Sequence, residues 1–427
     1  MYSHSLSYHL SARTKTHENY SFLIASFAVS DCNPIHVKFS IFHFQLLIMD
    51  FDRISFYVKN AQASRDWFVN KLGFQAIAAS ANSHTHTEIV SAGNVCFILS
   101  SPLTLNSPAA SWLKFHPPGI FDVGFRVKNI ESTVARAANE GAKVIEPIQK
   151  HLQAEGCFKR AKIAGWGDLT HTLIETIGTT SLLPYSPTLP LSPSPTLSLP
   201  PSPPLPLCPS PPLPCFKNID HVVLNVESGD LEVAVNWYQK ILGFQTQQNF
   251  DIQTEKSALR SRVMIHSEGG VQLPINESAS ANSQIQEFLD ANRGPGIQHM
   301  ALQTTDIVGV VANLRSRGLP FLPVPPTYYS QLQQRWQNYL PEDWQEIVAS
   351  QVLADWQEDS SEAMLLQIFT QPIFAEPTFF FEIIERRVGL VNGKQVQAGG
   401  FGAGNFRALF EAIEREQMKR GSLTKNK

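Results

Sequence analysis

The sequence predicts an α+β protein of two pseudo-twofold domains, each built from paired βαβββ modules that form an open barrel around a pocket. The main observation is a repeat, in which FDRISFYV…WFVNKLGFQ (51–75) returns as IDHVVLNV…WYQKILGFQ (219–245). Two further pairs repeat in the same order: GIFDVGFRVKNI (119–130) with GIQHMALQTTDI (296–307), and HTLIET (171–176) with FEIIER (381–386). Each half therefore holds two strand–helix–strands units.

The predicted elements follow from hydrophobic periodicity. Alternating β-branched and aromatic residues predict strands, and apolar residues three or four apart predict helices. In the first half we expect strands at 52–58, after Gly73, and at 87–90, 94–99, 119–127 and 169–176, with helices at 63–72 and 130–140. In the second half we expect strands at 219–226, 261–266, 271–275, 364–370 and 378–386. We expect helices from about residue 233 to Gly243, at 283–291, up to Arg317 and at 405–418, and a long polar connection at 328–359.

Two segments lie outside the repeat. Residues 1–48 carry Ser, His and Thr around a short apolar patch, so we expect a poorly ordered N-terminal extension, with a cleaved signal peptide as the alternative. Residues 179–216 are mostly Ser, Pro, Leu and Thr, which predicts a disordered linker, with a ligand for SH3-like domains as the alternative. The predicted domains are then 49–178, which lacks a metal site, and 217–427, which is catalytic and ends in a closing helix.

Composition narrows the classes of function. A net charge of −3 over 427 residues gives no electrostatic case for binding nucleic acid or an anionic membrane. No apolar run approaches the roughly 20 residues of a membrane span. The five cysteines are scattered and form no CxxC pair, which indicates neither a disulfide framework nor a zinc cluster. We therefore expect a cytoplasmic protein.

Three polar side chains interrupt the apolar strands of the second half: His221, His299 and Glu382. In the register of the repeat, the corresponding positions of the first half are Arg53, Asp122 and Thr172. A buried histidine alone is more often a hydrogen-bonded core residue than a ligand. Because all three positions diverge together, we interpret one half as carrying a site that the other has lost.

Two histidines and one carboxylate suit a divalent metal. They leave three coordination positions open, which is typical of non-haem ferrous oxygenases, and zinc is an alternative occupant of the same ligands. His84 and His86 resemble ligands too. They lie in a polar stretch for which we expect no carboxylate partner, so we interpret them as solvated.

Amides and aromatic rings are expected around this metal. Buried amides cost roughly 1–3 kcal/mol each unless they are paired. Asn276, Gln298 and Gln367, on predicted apolar strands, therefore indicate a polar and oriented ligand, although each amide alone also fits a surface position. Phe369, Phe380 and Phe406 would give a lining suited to a ring. The N-terminal end of the last helix, Asn405 and Phe406, is a candidate lid.

Several longer motifs carry a resemblance to a known family. They are PIN (274–276), GPGIQHMAL (294–302), PPTYY (325–329), LLQIFT (365–370), FFFEIIER (379–386) and GGFGAGNFRALFEAIEREQ (399–417). Together they resemble the 4-hydroxyphenylpyruvate dioxygenases of the vicinal oxygen chelate superfamily. The resemblance runs from about residue 50 to residue 417, apart from the proline-rich segment, and is strongest in the second half.

The resemblance implies an Fe(II) ion held by His221, His299 and Glu382. It implies that 4-hydroxyphenylpyruvate, an α-keto acid, reacts with dioxygen by oxidative decarboxylation, ring hydroxylation and side-chain migration to give homogentisate. It also implies a homo-oligomer, a dimer or a tetramer. By matching position, the residues expected to contact or flank the substrate are Ser261, Asn276, Gln284, Gln298, Gln367, Phe369, Phe380, Phe401, Asn405 and Phe406, with Asn276, Gln298 and Gln367 expected to serve catalysis.

Four alternatives remain open from the sequence. Hydroxymandelate synthase shares the substrate, metal and fold, but the PIN motif and Phe369 favour the dioxygenase. An extradiol catechol dioxygenase uses iron on the same fold without these α-keto-acid motifs. A metal-free binding module of the superfamily would not need the three ligands. An inactive paralogue is the fourth, because a sequence does not report turnover.

Overall fold

The computed structural model describes residues 49–153, 156–178, 216–267, 269–336, 340–357, 360–391 and 394–423, and the backbone of three strands near the N-terminus. Those strands, β1 (Ala12–His17), β2 (Tyr20–Ser26) and β3 (His36–Phe39), form an antiparallel sheet in a compact unit of their own, Met1–Leu47. The extension predicted for 1–48 thus contains three strands. The rest of that prediction, and residues 179–215 of the predicted linker 179–216, lie outside the described residues. The prediction of a linker is wrong for Phe216, which is buried in the core.

The first half of the larger unit, Ile48–Lys427, runs from β4 to β11. Its elements are β4 (Asp50–Tyr57), α1 (Ala61–Leu72), β5 (Gln75–Ala81), β6 (Thr85–Ala92), β7 (Val95–Pro102), α2 (Pro108–Phe115), β8 (Gly119–Arg126), α3 (Ile130–Asn139), β9 (Val144–Gln153), β10 (Gly156–Ala164) and β11 (Thr170–Gly178). Asn60 and Asn129 cap α1 and α3, since each side-chain oxygen accepts from a backbone N–H of the first turn.

The second half repeats this plan and extends it. Its elements are β12 (Ile219–Val226), α4 (Leu231–Leu242), β13 (Phe244–Gln253), β14 (Ala258–His266), β15 (Gln272–Ser278), α5 (Gln284–Asn292), β16 (Gly296–Gln303), α6 (Ile307–Ser316), α7 (Pro326–Arg335), α8 (Trp344–Ala349), β17 (Leu353–Gln357), β18 (Ser360–Phe369), β19 (Phe380–Arg386), β20 (Val388–Val391), β21 (Lys394–Gln397) and α9 (Ala403–Arg420). Within the described ranges, no helix is both long enough and apolar enough to cross a bilayer.

The two sheets have the same strand order. The first is β5-β6-β7-β4-β8-β11-β10-β9 and the second is β13-β14-β15-β12-β16-β19-β18-β17. In each, the two βαβββ modules meet at an antiparallel central pair, β4 with β8 and β12 with β16. The first and last strands of each order do not pair with each other in the described residues, so each barrel is open. The predicted α+β fold of two repeated domains is confirmed.

Three elements of the first half are missing from the sequence prediction, and six of the second half: β13, α7, α8, β17, β20 and β21. The structure adds α2, β9 and β10 to the first half. Charged residues hide the strand pattern of β10, where Lys159 bonds Glu131 and Glu175, and Arg160 bonds Glu146. The prediction of a long polar connection at 328–359 is wrong, because α7, α8 and β17 lie there. Their apolar face is carried by Tyr and Trp residues, such as the buried Tyr329 and Trp344, that ordinary polarity scales understate.

One hydrophobic core spans both halves. Two aromatic pairs, related by the repeat, lie where a strand of one half meets a helix of the other. Phe381 on β19 packs against Phe68 on α1, and His171 on β11 packs against Tyr238 on α4. All four side chains are at most 1% exposed. The halves therefore depend on each other for burial, which explains why they form one compact unit.

His171 makes the second pair sensitive to pH. Its Nδ1–H donates to the carbonyl oxygen of Val123 at 3.1 Å, and its Nε2 accepts from the hydroxyl of Tyr238 at 3.0 Å. Complete burial lowers the pKa of His171 from 6.5 to about 4, although the bond to Val123 and the nearby Asp122 oppose this shift. The ring is therefore neutral in the folded protein at neutral pH.

Acidification should weaken the fold through this residue. Between pH 6.5 and about 4 the unfolded chain binds a proton at His171 that the folded chain does not, so stability present above pH 6.5 is lost as the pH falls. At pH 5 we expect a loss of about 2 kcal/mol relative to pH 8. Urea unfolding across this range should show a flatter pH dependence for His171→Gln than for the exposed-site control His84→Gln. Equal slopes would contradict the assignment.

Candidate metal centre

The three predicted ligands come from three adjacent strands of the second sheet. His221 lies on β12, His299 on β16 and Glu382 on β19. Strand β16 pairs with β12 on one side, with His299 opposite Val223, and with β19 on the other, with Ala301 opposite Glu382. Because side chains alternate along a strand, this register places all three on one face.

Their ligand atoms converge in a buried space. Glu382 Oε2 lies 3.2 Å from His221 Nε2 and 3.8 Å from His299 Nε2. One ligand atom from each of the three lies within 4.8 Å of the other two. An ion about 2.1 Å from each ligand needs neighbouring donor atoms roughly 3 Å apart. The set therefore fits a divalent metal after small closing movements.

The first sheet places the corresponding positions in the same register. Asp122 lies opposite Ser55 on the paired strand, as His299 lies opposite Val223. The threonines at 170 and 172 donate hydrogen bonds to Asp122 at 2.6 and 3.0 Å, and Arg53 bonds Asp52. The predicted correspondence is thus confirmed, and the first half satisfies these groups among themselves.

Each ligand has a hydrogen-bonded partner behind it. His221 Nδ1–H donates to Asp220 Oδ1 at 2.9 Å, and His299 Nδ1–H donates to Gln298 Oε1 at 3.2 Å. Both bonds leave Nε2 free to face the metal position. The amide of Gln367 donates to Glu382 Oε1 at 2.8 Å, which leaves Oε2 turned toward the histidines. These contacts select the tautomers and orientations that a metal requires.

The two imidazoles have different protonation properties. Burial, the largest single influence, lowers the pKa of His221, but Glu382 and Asp220 together outweigh it and raise this pKa to about 9. Burial, and the charge of His221, hold the pKa of His299 well below its usual range. His299 is therefore a ready neutral ligand, whereas His221 carries a proton that a bound divalent cation displaces.

A cavity opens at the ligands. Its lining includes the three ligands and a set of mostly apolar side chains: Val223, Phe250, Ser261, Val263, Pro274, Asn276, Gln367, Phe369, Phe401, Phe406 and Leu409. Aromatic rings surround the histidines directly. Phe380 stacks on His299 with centroids 4.8 Å apart, and Phe401 meets His221 edge-on at the same distance. Such a lining suits a planar ring.

Two polar side-chain oxygens of the lining lack hydrogen-bond partners. Ser261 Oγ and Asn276 Oδ1 are buried without one, although these residues face each other on β14 and β15. The corresponding residues of the first sheet, Thr87 and Ser100, bond each other at 3.0 Å. An unpaired buried polar atom costs about 1–3 kcal/mol. The second half therefore keeps polar groups free for a ligand where the first half has closed them.

The other predicted substrate residues are absent from the cavity lining, and three of them contact residues that form it. Gln298 accepts a hydrogen bond from His299, and Phe380 stacks on the His299 ring. The amide of Asn405 donates to Gln367 Oε1 at 2.8 Å. Gln284 is buried with its Oε1 unpaired and is not among the residues that line the cavity. We therefore propose that Gln298 and Asn405 position other groups instead of touching the substrate.

Two histidines outside the site need a correction. His84 bonds Thr104, but His86 lies on β6 and its Nε2 is 2.8 Å from Glu88 Oε1. The expectation of no carboxylate partner for His86 is wrong, because the strand places residues two apart on one face.

Sequence reasoning also missed Arg386, which binds Asp220 through two bonds. A charged residue that ends the apolar run FFFEIIER was the available signal.

The chain is similar to known proteins over most of its length. The glyoxalase/bleomycin resistance protein/dioxygenase superfamily matches residues 50–159 and 218–335, one segment in each half. The 4-hydroxyphenylpyruvate dioxygenase of Coccidioides posadasii is 35% identical over 398 residues, covering 87% of this chain and 94% of that protein. The same enzyme of Danio rerio is 36% identical, covering 88% and 92%. The chain belongs to the 4-hydroxyphenylpyruvate dioxygenase family.

A solved structure is similar over nearly its whole length. A mutant of 4-hydroxymandelate synthase from Streptomyces coelicolor superposes with a TM-score of 0.69 at 25% sequence identity. The match covers 87% of this chain and 99% of that one. This neighbour thus shares the two-domain plan described above, and the likeness spans both domains.

Proposed function

We propose that the protein converts 4-hydroxyphenylpyruvate and dioxygen to homogentisate and carbon dioxide, using an Fe(II) ion bound by His221, His299 and Glu382. The observation that carries this proposal is the buried triad, which opens onto a cavity lined by aromatic rings and unpaired polar groups. Identity of about 35% to several 4-hydroxyphenylpyruvate dioxygenases, over most of the chain, supports it. When bound, Fe(II) would supply the redox chemistry and the open coordination positions for an α-keto acid and dioxygen.

The side chains of the site would bind and orient the substrate. The α-keto acid end belongs at the ligands, because an anion there is balanced by the metal. Ser261 and Asn276 would hydrogen-bond the phenol, since their free oxygens otherwise remain buried and unpaired. Phe369 and Phe406 would flank the ring and exclude water from it. Leu409 and Phe401 extend this apolar wall.

Product identification after anaerobic loading tests the proposal. The purified protein would receive Fe(II), then 4-hydroxyphenylpyruvate and air, with chromatography of the products. Homogentisate with one equivalent of carbon dioxide is expected. 4-Hydroxymandelate would favour the second candidate, a hydroxymandelate synthase. The structural similarity to that enzyme is the reason to consider it. Unchanged substrate from an iron-loaded protein would refute both. A cytoplasmic location and a homo-oligomeric state remain predictions.

Ser261→Ala should separate substrate binding from folding. Because the hydroxyl of Ser261 has no partner in the protein, its removal should leave the free energy of unfolding unchanged or slightly higher. Loss of one hydrogen bond to the substrate should raise KM about tenfold. Thr87→Val, at the corresponding position of the first half, should do the opposite, because Thr87 bonds Ser100. Steady-state kinetics and urea unfolding of both variants check this, and an unchanged KM for Ser261→Ala would contradict it.

A further inference from the structure

Arg386 joins the metal ligands to the backbone that precedes the last helix. Its side chain is 7% exposed. Nε and Nη2 donate to the two carboxylate oxygens of Asp220 at 2.7 and 2.8 Å. Nη1 donates to the carbonyl oxygens of Gly400 and Ala398 at 2.8 and 3.2 Å. One guanidinium thus serves four acceptors on two different parts of the chain.

Asp220 carries this contact to a metal ligand. The oxygen that accepts from Arg386 Nη2 also accepts from His221 Nδ1, at 2.9 Å. A buried carboxylate, here 6% exposed, needs hydrogen-bonding partners, and Arg386 and His221 supply them. Because Nδ1 is held in place, the direction of Nε2 toward the metal position is set. Arg386 therefore acts on His221 through Asp220.

The backbone held by Nη1 carries a wall of the cavity. Residues 398–402, here called the Phe401 segment, place the ring of Phe401 at 4.8 Å from that of His221. Gly400 and Gly402 flank Phe401 with φ angles of 66° and 61°, left-handed conformations that favour glycine. This path turns the ring onto the histidine. The same segment then leads into α9, which brings Phe406 and Leu409 to the cavity.

The first half supplies a contrast at the corresponding positions. By strand register, Asp52 corresponds to Asp220, and the exposed Thr176 corresponds to Arg386. Asp52 is bound instead by Arg53, which stands where the other half has its histidine, and by Arg126. The half without ligands thus keeps the carboxylate and lacks an arginine on this strand. The arginine at this position is therefore present in the half that carries the metal ligands.

We propose that Arg386 is a positioning residue that orients His221 and seats the Phe401 segment over the metal centre, so that metal binding and closure of this segment are coupled. Each event stabilises the other by the same free energy, as linkage requires. Lysine cannot replace it, because a single ammonium cannot serve four acceptors in this fork geometry. The inference rests on the metal site of the proposed function, but its test needs no turnover.

Two measurements on the full chain test the coupling. Co(II) titration, followed by the visible absorption of the bound ion, gives metal affinity and reports the coordination of His221. Hydrogen–deuterium exchange of the peptide spanning 398–406, with and without Co(II), reports how firmly the backbone of the Phe401 segment is held. The variants are Arg386→Lys and, as matched control on the next residue, Arg387→Lys. The side chain of Arg387 bonds Asp343 and Glu385 instead.

Arg386→Lys should weaken Co(II) binding by about 10–100-fold, the usual effect of losing an outer-shell partner. It should also alter the Co(II) spectrum and abolish the slowing of exchange at 398–406 that Co(II) causes in the unmodified protein. Arg387→Lys should change neither. Co(II) affinity within threefold of the unmodified protein, or retained metal-dependent slowing, would overturn the proposal. If Arg386→Lys does not fold, Asp220→Asn must show the same loss of Co(II) affinity and the same loss of metal-dependent slowing of exchange. Normal coupling without homogentisate would overturn only the proposed function.

Discussion

Glu382→Ala should abolish metal binding and turnover while leaving the protein folded. Glu382 is 1% exposed, and its Oε2 lies near the Nε2 atoms of both histidines. Loss of an outer-shell partner alone weakens metal binding 10–100-fold. Loss of a ligand should therefore weaken it at least about a hundredfold, and kcat/KM should fall by at least as much. Anaerobic Fe(II) binding and homogentisate formation are the measurements.

The first half offers a matched control for this variant. Thr172 stands at the position corresponding to Glu382 and donates a hydrogen bond to Asp122 at 3.0 Å. Thr172→Ala should leave Fe(II) affinity and kcat/KM within about threefold, since it removes only one hydrogen bond remote from the ligands. Circular dichroism should show that both variants fold. Iron retained by Glu382→Ala with an affinity within tenfold would mean that the assigned ligand set is wrong.

Phe381→Ala should cause a large loss of stability. The ring is fully buried between the halves, 5.0 Å from Phe379, 5.9 Å from Phe97 and 6.1 Å from Phe68, measured between centroids. Replacing such a ring leaves a cavity that rigid neighbouring strands cannot close. The expected cost is about 3–5 kcal/mol in the free energy of unfolding. Because the contacts join both domains, the loss should appear in the transition of the whole unit.

Chemical unfolding followed by tryptophan fluorescence and by circular dichroism tests this prediction. Phe115→Ala is the control, since its ring is 68% exposed and its removal should change stability by less than about 0.5 kcal/mol. A cost below about 1.5 kcal/mol for Phe381→Ala would show that the halves do not share one cohesive core. A transition that splits in two would indicate that the domains unfold independently.

The repeat made most of the fold predictable. Strands with alternating apolar residues, such as β12, and helices closed by glycine, such as α1 and α4, follow from local pattern. Strand β10 did not, because its lysines and arginines are paired only with residues distant in the sequence. Elements α7 and α8 were missed because amphipathic aromatics bury them against the core. In both cases the stabilising partner is absent from the local sequence.

The sequence by itself determined the identity of the site. Comparison of its two halves singles out His221, His299 and Glu382 and the positions that replace them in the other half. Only the tertiary structure decided how these side chains are held: Asp220 and Gln298 orient the imidazoles, and Gln367 orients the carboxylate. It also decided that Ser261 Oγ and Asn276 Oδ1 remain without a hydrogen-bond partner. The reason is physical, because a repeat compares residue types at equivalent positions, whereas hydrogen bonds and burial depend on distances between strands that only folding creates.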